Sequence, residues 1–410
     1  MSSVVLMDVL RGLLLVALAL TAVPVLYLFI VAVAAMLSRW LTRRRVPDAS
    51  SPPSTRPQFA ILVPACNEED TLSRLLDSLA AQTYPKDRYM VCVVADNCTD
   101  RTAEIARTAG RVQVFERFDP VRRSKGYALC WLFEKLAEQG LVFDAYVVVD
   151  ADSVVDPGFL KAMEESIARG AEALQGFHGV LNDDASPSAM MRWWAVSLAR
   201  HVRCLGRDTM GFSASLTGNG MCFTRPFLQR QPWRAVGLVE DYEQYLMLVG
   251  EGERVRYVAD AAVLSLTPET FAGLKMQDVR WESWPHGKTA RRIAMQLLAG
   301  GLRERDPVRI DALFELMTPS LSIVGASTLL NLSAALLLRW PPAIILSLLL
   351  IAGLAVYGLS PFLILTPPRG VYRALLHVPG FMLWKLRLAV AMKRSAAPRE
   401  WGSGRAADRR

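Results

Sequence analysis

Two aspartates one residue apart, Asp150 and Asp152, end the apolar run Val147-Val148-Val149. Side chains alternate along a strand, so both carboxylates leave it on the same side. Carboxylates so close repel unless a cation or a diphosphate-bound metal lies between them. Mg2+ or Mn2+ prefers hard oxygen ligands and keeps water, so one or two carboxylates plus a diphosphate complete its shell. The plain structural alternative is a strand-end turn in which an aspartate caps the next helix. Asp96 and Asp100, which bracket Asn97-Cys98-Thr99, can accept hydrogen bonds from a base N–H or a ribose hydroxyl, although Asp100 alone would pass as a helix N-cap. Lys125, ahead of Gly126-Tyr127-Ala128-Leu129, offers charge to a phosphate or is a solvated lysine in the basic turn 122–125.

Glu240-Asp241 opens a helix-like stretch, where an acidic pair also suits the helix dipole. Before it, Thr217-Gly218-Asn219-Gly220-Met221 allows close backbone approach to a sugar, and a plain turn explains the glycines equally well. Gln277 shares a helical face with Arg280 and Trp281, at i, i+3 and i, i+4. A guanidinium suits phosphate and an indole face stacks on a pyranose. A Trp/Arg pair at lipid headgroups is the other reading of that string.

The elements that position these residues begin after a linker, 46–57, rich in proline and serine. Phe59 to Pro64, Tyr89 to Ala95, and Arg111 to Phe115 read as strands, with helices between them. The βαβα succession with polar strand ends predicts an α/β domain over 58–307, a mostly parallel sheet, and a ligand site at the carboxyl edges of the strands.

Around this domain the chain is too apolar for an ordinary soluble enzyme: 52% of its 410 residues are hydrophobic, and mean hydropathy is +0.23. Uncharged stretches run from Gly12 to Leu37, Leu316 to Leu338, and Pro341 to Pro368. Each exceeds the roughly 20 residues that cross a bilayer. We therefore expect one spanning helix in 1–45 and two in 308–368. The basic flanks Arg39, Arg43, Arg44 and Arg45, and the cluster from Arg369 to Arg394, place the middle region and the C-terminus in the cytoplasm by the positive-inside rule.

Residues 369–394 interleave Lys385 and Arg387 with Phe381 and Trp384, which predicts an interfacial amphipathic helix. Residues 395–410 read as a basic tail. The net charge of +8 concentrates in these flanks and suits anionic membrane lipids. No basic helix with stacking aromatics calls for nucleic acid.

Five strings, in this order, carry a resemblance: Pro64-Ala-Cys-Asn67-Glu68, Asp96-Asn-Cys-Thr-Asp100, Asp150-Ala-Asp152, Glu240-Asp241, and Gln277-Asp-Val-Arg280-Trp281. Together they resemble the membrane-embedded family-2 glycosyltransferases, the branch with cellulose, hyaluronan and chitin-oligosaccharide synthases. That resemblance implies a GT-A nucleotide-sugar-binding domain acting with Mg2+ or Mn2+. It gives Asp96 and Asp100 the base and ribose, with Pro64 to Glu68 as the adjoining wall. It gives Asp150 the ribose, Asp152 the metal, and Asp241 the role of general base. Gln277 and Arg280 reach the diphosphate; Trp281, with Glu240, Gly218 and Asn219, meets the acceptor.

The implied reaction is inverting transfer from a nucleotide-sugar, a UDP-sugar above all, to a growing β-linked polysaccharide or oligosaccharide. Transfer of one sugar to a lipid, as in the ceramide glucosyltransferases, is the alternative. A non-catalytic scaffold would have lost the base or the metal carboxylates, and both are present. Three spans are few for a polysaccharide channel, so a pore would need interfacial helices, a homo-oligomer or an export partner.

Overall fold

The computed structural model describes residues 3–42, 56–237, 239–268 and 288–374, with 378, 380–383 and 387. Gln277, Arg280 and Trp281 lie outside these residues, as do most of the linker and of the segment 369–394, and the tail.

The first element, α1 (Ser3–Thr42), is one helix with Pro24 inside it. The α/β domain then starts with β1 (Phe59–Ala65), all seven residues of which are buried, as expected of a parallel strand covered on both faces. In α2 (Leu72–Ala80), Leu72, Leu75, Leu76 and Leu79 form the buried stripe; burying such a side chain contributes about 1.5–3 kcal/mol. The chain continues through β2 (Tyr89–Asp96), α3 (Thr102–Thr108), β3 (Val112–Arg117), α4 (Lys125–Glu138) and β4 (Ala145–Val148). After β5 (Ser153–Val155), α5 (Phe159–Ala168) and β6 (Ala173–Val180) comes a helical arch: α6 (Pro187–Val196), a π-helical turn (Ser197–Val202) and α7 (Arg203–Thr209). The last part of the domain is β7 (Met221–Thr224), α8 (Arg225–Arg230), α9 (Glu240–Gly250) and β8 (Val255–Ser265).

Eight strands form one sheet in the order β3-β2-β1-β4-β7-β6-β8-β5. Pairings β2–β3, β1–β2 and β1–β4 are parallel, as the sequence predicts. In the other half β6–β8 is parallel too, but antiparallel pairings join it, so the sheet is mixed while still mostly parallel. Met221 pairs with Val148, so β7 starts where β4 ends and runs back along it; β6–β7 and β5–β8 are also antiparallel. Every pairing of β1 is parallel, so β1, β2 and β4 end on one edge.

Helices α10 (Lys288–Glu304), α11 (Pro307–Met317), α12 (Leu321–Leu337) and α13 (Pro341–Ile364) follow. Val5–Ser38 and Pro341–Ile364 are long and apolar enough to cross a membrane. The stretch expected to span from Leu316 to Leu338 is instead broken: α11 and α12 meet at 76°, and count as a third span only if taken together. Pro319 is the cause, because a residue before proline is excluded from the helical region, and Thr318 sits at φ −67°, ψ 117°.

The arch packs on the apolar helices α1 and α13. Val202, Trp193 and Trp194 join Leu28 and Ala32 of α1 and Tyr357 of α13 in one cluster, and Trp194 Nε1 donates to the Gly358 carbonyl at 2.7 Å. The sequence predicts a core or in-plane helix there, and the arch buries Trp193, Trp194 and Val202 in this cluster. A buried ionic cluster lies beside it. Arg207 pairs with Asp311 of α11 at 2.7 Å, and Tyr27 of α1 donates to the same carboxylate at 3.1 Å. Arg207 also donates to Tyr245 of α9, one turn along from Asp241.

Candidate active site

The strand edge gathers carboxylates around one lysine. Ser124 caps α4, accepting from the Tyr127 N–H at 3.2 Å and donating to the Val236 carbonyl at 3.0 Å. Gly126 lies so close to the 235–236 backbone that a Cβ would come within 2.3 Å of the Ala235 oxygen. That contact fixes Lys125 between them. The Lys125 ammonium is buried, 2.5 Å from Asp150 Oδ1 and 3.9 Å from Glu240 Oε1, and it donates to the Gly218 carbonyl. Burial alone would lower its pKa, but the carboxylates of Asp150 and Glu240 more than offset this and raise it. Lys125 is thus held among carboxylates and is not a solvated lysine.

Asp241 completes the cluster. Gly218 has φ +80°, and a Cβ there would lie 2.8 Å from Asp241 Oδ2. Burial pushes Glu240 up to about 7, with Lys125 opposing and Asp241 reinforcing the shift. Asp152 is likewise pushed up to about 7, by burial first and then by the Asp150 charge. A buried carboxylate whose charge is opposed by burial and by a neighbouring aspartate is a donor that a divalent ion relieves, so Asp152 fits Mg2+ or Mn2+. Among the described residues no group of three or more His, Cys, Asp or Glu makes a ready cage. A hard ion held by one or two carboxylates and substrate phosphates needs none.

Several expected ligands have other work. Asn219 is fully buried: its Oδ1 accepts from the Asp150 N–H, and its Nδ2 donates to Ser153 and Ser265. It therefore positions the Asp150 loop. Asp100 Oδ1 accepts from the Thr102 N–H and hydroxyl, and Oδ2 from the Glu69 N–H. It caps α3 and ties it to the β1–α2 loop; burial opposes these bonds, which together lower its pKa. In that loop Asn67, at φ +58°, accepts from the Thr99 N–H, and Glu68 accepts from the Thr71 hydroxyl. Pro64 is buried in β1.

Asp96 is buried against Arg117, 2.5 Å from its Nη1. Its Oδ2 is buried with no protein partner. Burial raises its pKa despite the guanidinium. An acceptor oxygen with no partner suits a ligand N–H. Sequence reasoning missed Arg117, and also Gln175, His178 and Arg200. Gln175 Oε1 accepts from the Thr217 N–H at 2.9 Å and its Nε2 donates to the Asn219 carbonyl at 2.8 Å, clamping the 217–219 loop. The one available signal was polar residues inside an apolar strand, Gln175 and His178 in β6.

The model of a family described as glycosyltransferase like family 2 matches residues 57–283. A probable glycosyltransferase, YdaM of Bacillus subtilis, is 24% identical over 58% of this chain and 57% of its own length. A β-monoglucosyldiacylglycerol synthase of Synechocystis is 31% identical over 46% of this chain and 38% of its own. A poly-β-1,6-N-acetyl-D-glucosamine synthase of Staphylococcus aureus is 26% identical over 56% and 54%. The chain thus spans about half the length of the curated relatives it matches. A mannosyltransferase of Pyrobaculum calidifontis, solved with GDP-Man and Mn2+, shares the fold at TM-score 0.52 and 19% identity, over 89% of this chain and 99% of its own.

Proposed function

Because the chain belongs to the glycosyltransferase-like family 2, we propose that it transfers a sugar from a nucleotide-sugar, a UDP-sugar, to a growing β-linked glycan at the cytoplasmic face of a membrane. The observation that carries this reading is the convergence of Asp150, Glu240 and Asp241 on Lys125 and Gly218, beside Asp152, at the edge where β1, β2 and β4 end.

In this reading Asp96 and the β1–α2 loop receive the base, and Asp150 the ribose. Asp152 would hold a divalent ion together with the diphosphate, and that ion would neutralise leaving-group charge. Asp241 takes a proton from the acceptor hydroxyl as that oxygen attacks the anomeric carbon opposite the diphosphate. A single displacement inverts that carbon, so an α-linked donor yields a β-linkage. Gln277 and Arg280 are assigned to the diphosphate and Trp281 to the acceptor. The basic flanks of the spanning helices support the cytoplasmic placement.

The packing of the arch on α1 and α13 favours a second reading, in which a membrane lipid accepts one sugar. Membranes containing the chain, supplied with radiolabelled nucleotide-sugars with and without Mn2+ or Mg2+, separate these outcomes. A product ladder supports glycan extension and a single glycolipid spot the lipid acceptor. Full transfer by Asp241→Asn would refute both.

A further inference from the structure

Gly218 and Asp241 meet in the candidate site, and each begins or ends a short stretch whose far end touches one side chain, Arg207 of α7. A Cβ on Gly218 would lie 2.8 Å from Asp241 Oδ2, so the two surfaces are in contact. Three residues before Gly218, the Ser215 hydroxyl accepts from Arg207 Nη1 at 2.8 Å. Four residues after Asp241, the Tyr245 hydroxyl accepts from Arg207 Nη2. Residues i and i+4 share a helix face, so the hold on Tyr245 sets the rotation of α9 and with it the place of Asp241. Ser215, Gly218, Asp241, Tyr245 and Arg207 therefore close a ring, with Arg207 on the side away from Asp241.

Arg207 can act as the fixed point of that ring because its own position is fully determined. The side chain is completely buried. Its Nε lies 2.8 Å and its Nη2 2.7 Å from Asp311 Oδ2, and Tyr27 of α1 donates to the other oxygen of that carboxylate at 3.1 Å. A guanidinium is a planar fork, so partners in three directions leave it one orientation. The preceding residue, Gly206, sits so close to α1 that a Cβ would come within 2.1 Å of the Val31 carbonyl oxygen. One turn earlier in α7, Arg203 spends its donors elsewhere, on Glu315 of α11 at 3.3 Å and Tyr357 of α13 at 3.1 Å.

We propose that Arg207 is a positioning residue for sugar transfer: by holding Ser215 and Tyr245 at once, it keeps Asp241 and the 217–219 loop in the register that the acceptor hydroxyl requires. It takes that register from α1 and α11, so the apolar helices set the geometry of the site as well as carrying it. This rests on Asp241 being the base.

The test uses the full chain in membranes, with initial rates at varied donor and a melting curve for each variant. Truncating Arg207 would leave Asp311 buried without its partner, so two variants that each remove one hydroxyl read the role instead, Ser215→Ala and Tyr245→Phe. Misplacing a reacting group by about 1 Å costs on the order of 100-fold, so freeing one side of the ring by about half that distance should lower kcat by about tenfold, with donor KM within about threefold of wild type. The double variant should fall no more than about threefold below the less active single one, because the first release already opens the ring. Tyr357→Phe, which removes a hydroxyl from the Arg203 side of the same cluster, is the comparison: its Tm falls while kcat per folded molecule stays at the wild-type value. If one of the two hydroxyl variants does not accumulate, the other carries the test beside Tyr357→Phe. Unchanged kcat in a folded Ser215→Ala or Tyr245→Phe, a loss confined to donor KM, multiplied losses in the double variant, or an equal loss of kcat in Tyr357→Phe overturns the proposal. A wild-type chain that transfers nothing, or a fully active Asp241→Asn, would instead overturn the reading of the site. An active wild type with an inactive Asp241→Asn and unaffected Ser215→Ala and Tyr245→Phe would overturn the role of Arg207 alone.

Discussion

Gly218→Ala separates chemistry from folding, because the same backbone strain occurs elsewhere without the contact. At Gly218 the backbone has φ +80°, and a methyl would meet Asp241 Oδ2 at 2.8 Å, where ordinary contact begins at 3.4 Å. The carboxylate must move by about 0.6 Å. With a 1 Å misplacement costing on the order of 100-fold, kcat should fall by about 10- to 100-fold. The left-handed conformation itself costs about 1–2 kcal/mol for a residue with a Cβ, which in a domain of this size lowers Tm by about 2–4 °C per kcal/mol. Gly211 has φ +87° and nothing within 4 Å of the same added carbon. Gly211→Ala should show the loss in Tm while keeping wild-type kcat per folded molecule. The assay is sugar incorporation normalised to folded protein, with a melting curve beside it. Equal activity losses in the two variants, or wild-type kcat in Gly218→Ala, would refute the placement of Asp241 against this loop.

Two further outcomes follow from the charges. Asp152 is held at about 7, chiefly by burial and then by Asp150, above the roughly 3.9 of an unfolded aspartate. The folded chain then binds the extra proton between those values, so ligand-free stability falls as pH rises from about 4 to 7. Binding of a divalent ion, which needs the carboxylate, strengthens over the same interval. The Tm increase caused by Mn2+ with UDP should be larger at pH 8 than at pH 6 and absent in Asp152→Asn; equal shifts at both pH values would refute the assignment. Separately, Arg207→Met leaves Asp311 buried without its guanidinium, a loss of about 3–5 kcal/mol. Adding Asp311→Leu should restore part of it in thermal melts, and a single variant melting with the wild type would count against a structural role for the pair.

The parallel half of the sheet was legible because β1, β2 and β4 are continuous apolar runs ending in Asn67, Asp96 and Asp150, and local pattern alone dictates such strands. The spanning lengths were legible for the same reason, except that Pro319 bends the chain inside an otherwise uncharged run. Asn219 and Asp100 were harder. Each is a short polar residue in a turn, and whether it faces a ligand or a neighbouring N–H depends on segments about 30 to 70 residues away.

The sequence by itself determined which side chains can do chemistry here and at which strand ends they stand, since alternation and strand length are properties of neighbouring residues. Only the tertiary structure decided their pairing: Lys125 with Asp150 and Glu240, Arg117 with Asp96, Arg200 with His178. Charge–charge energy depends on separation in space and on burial, and neither is written in the spacing of residues that lie 20 to more than 100 positions apart.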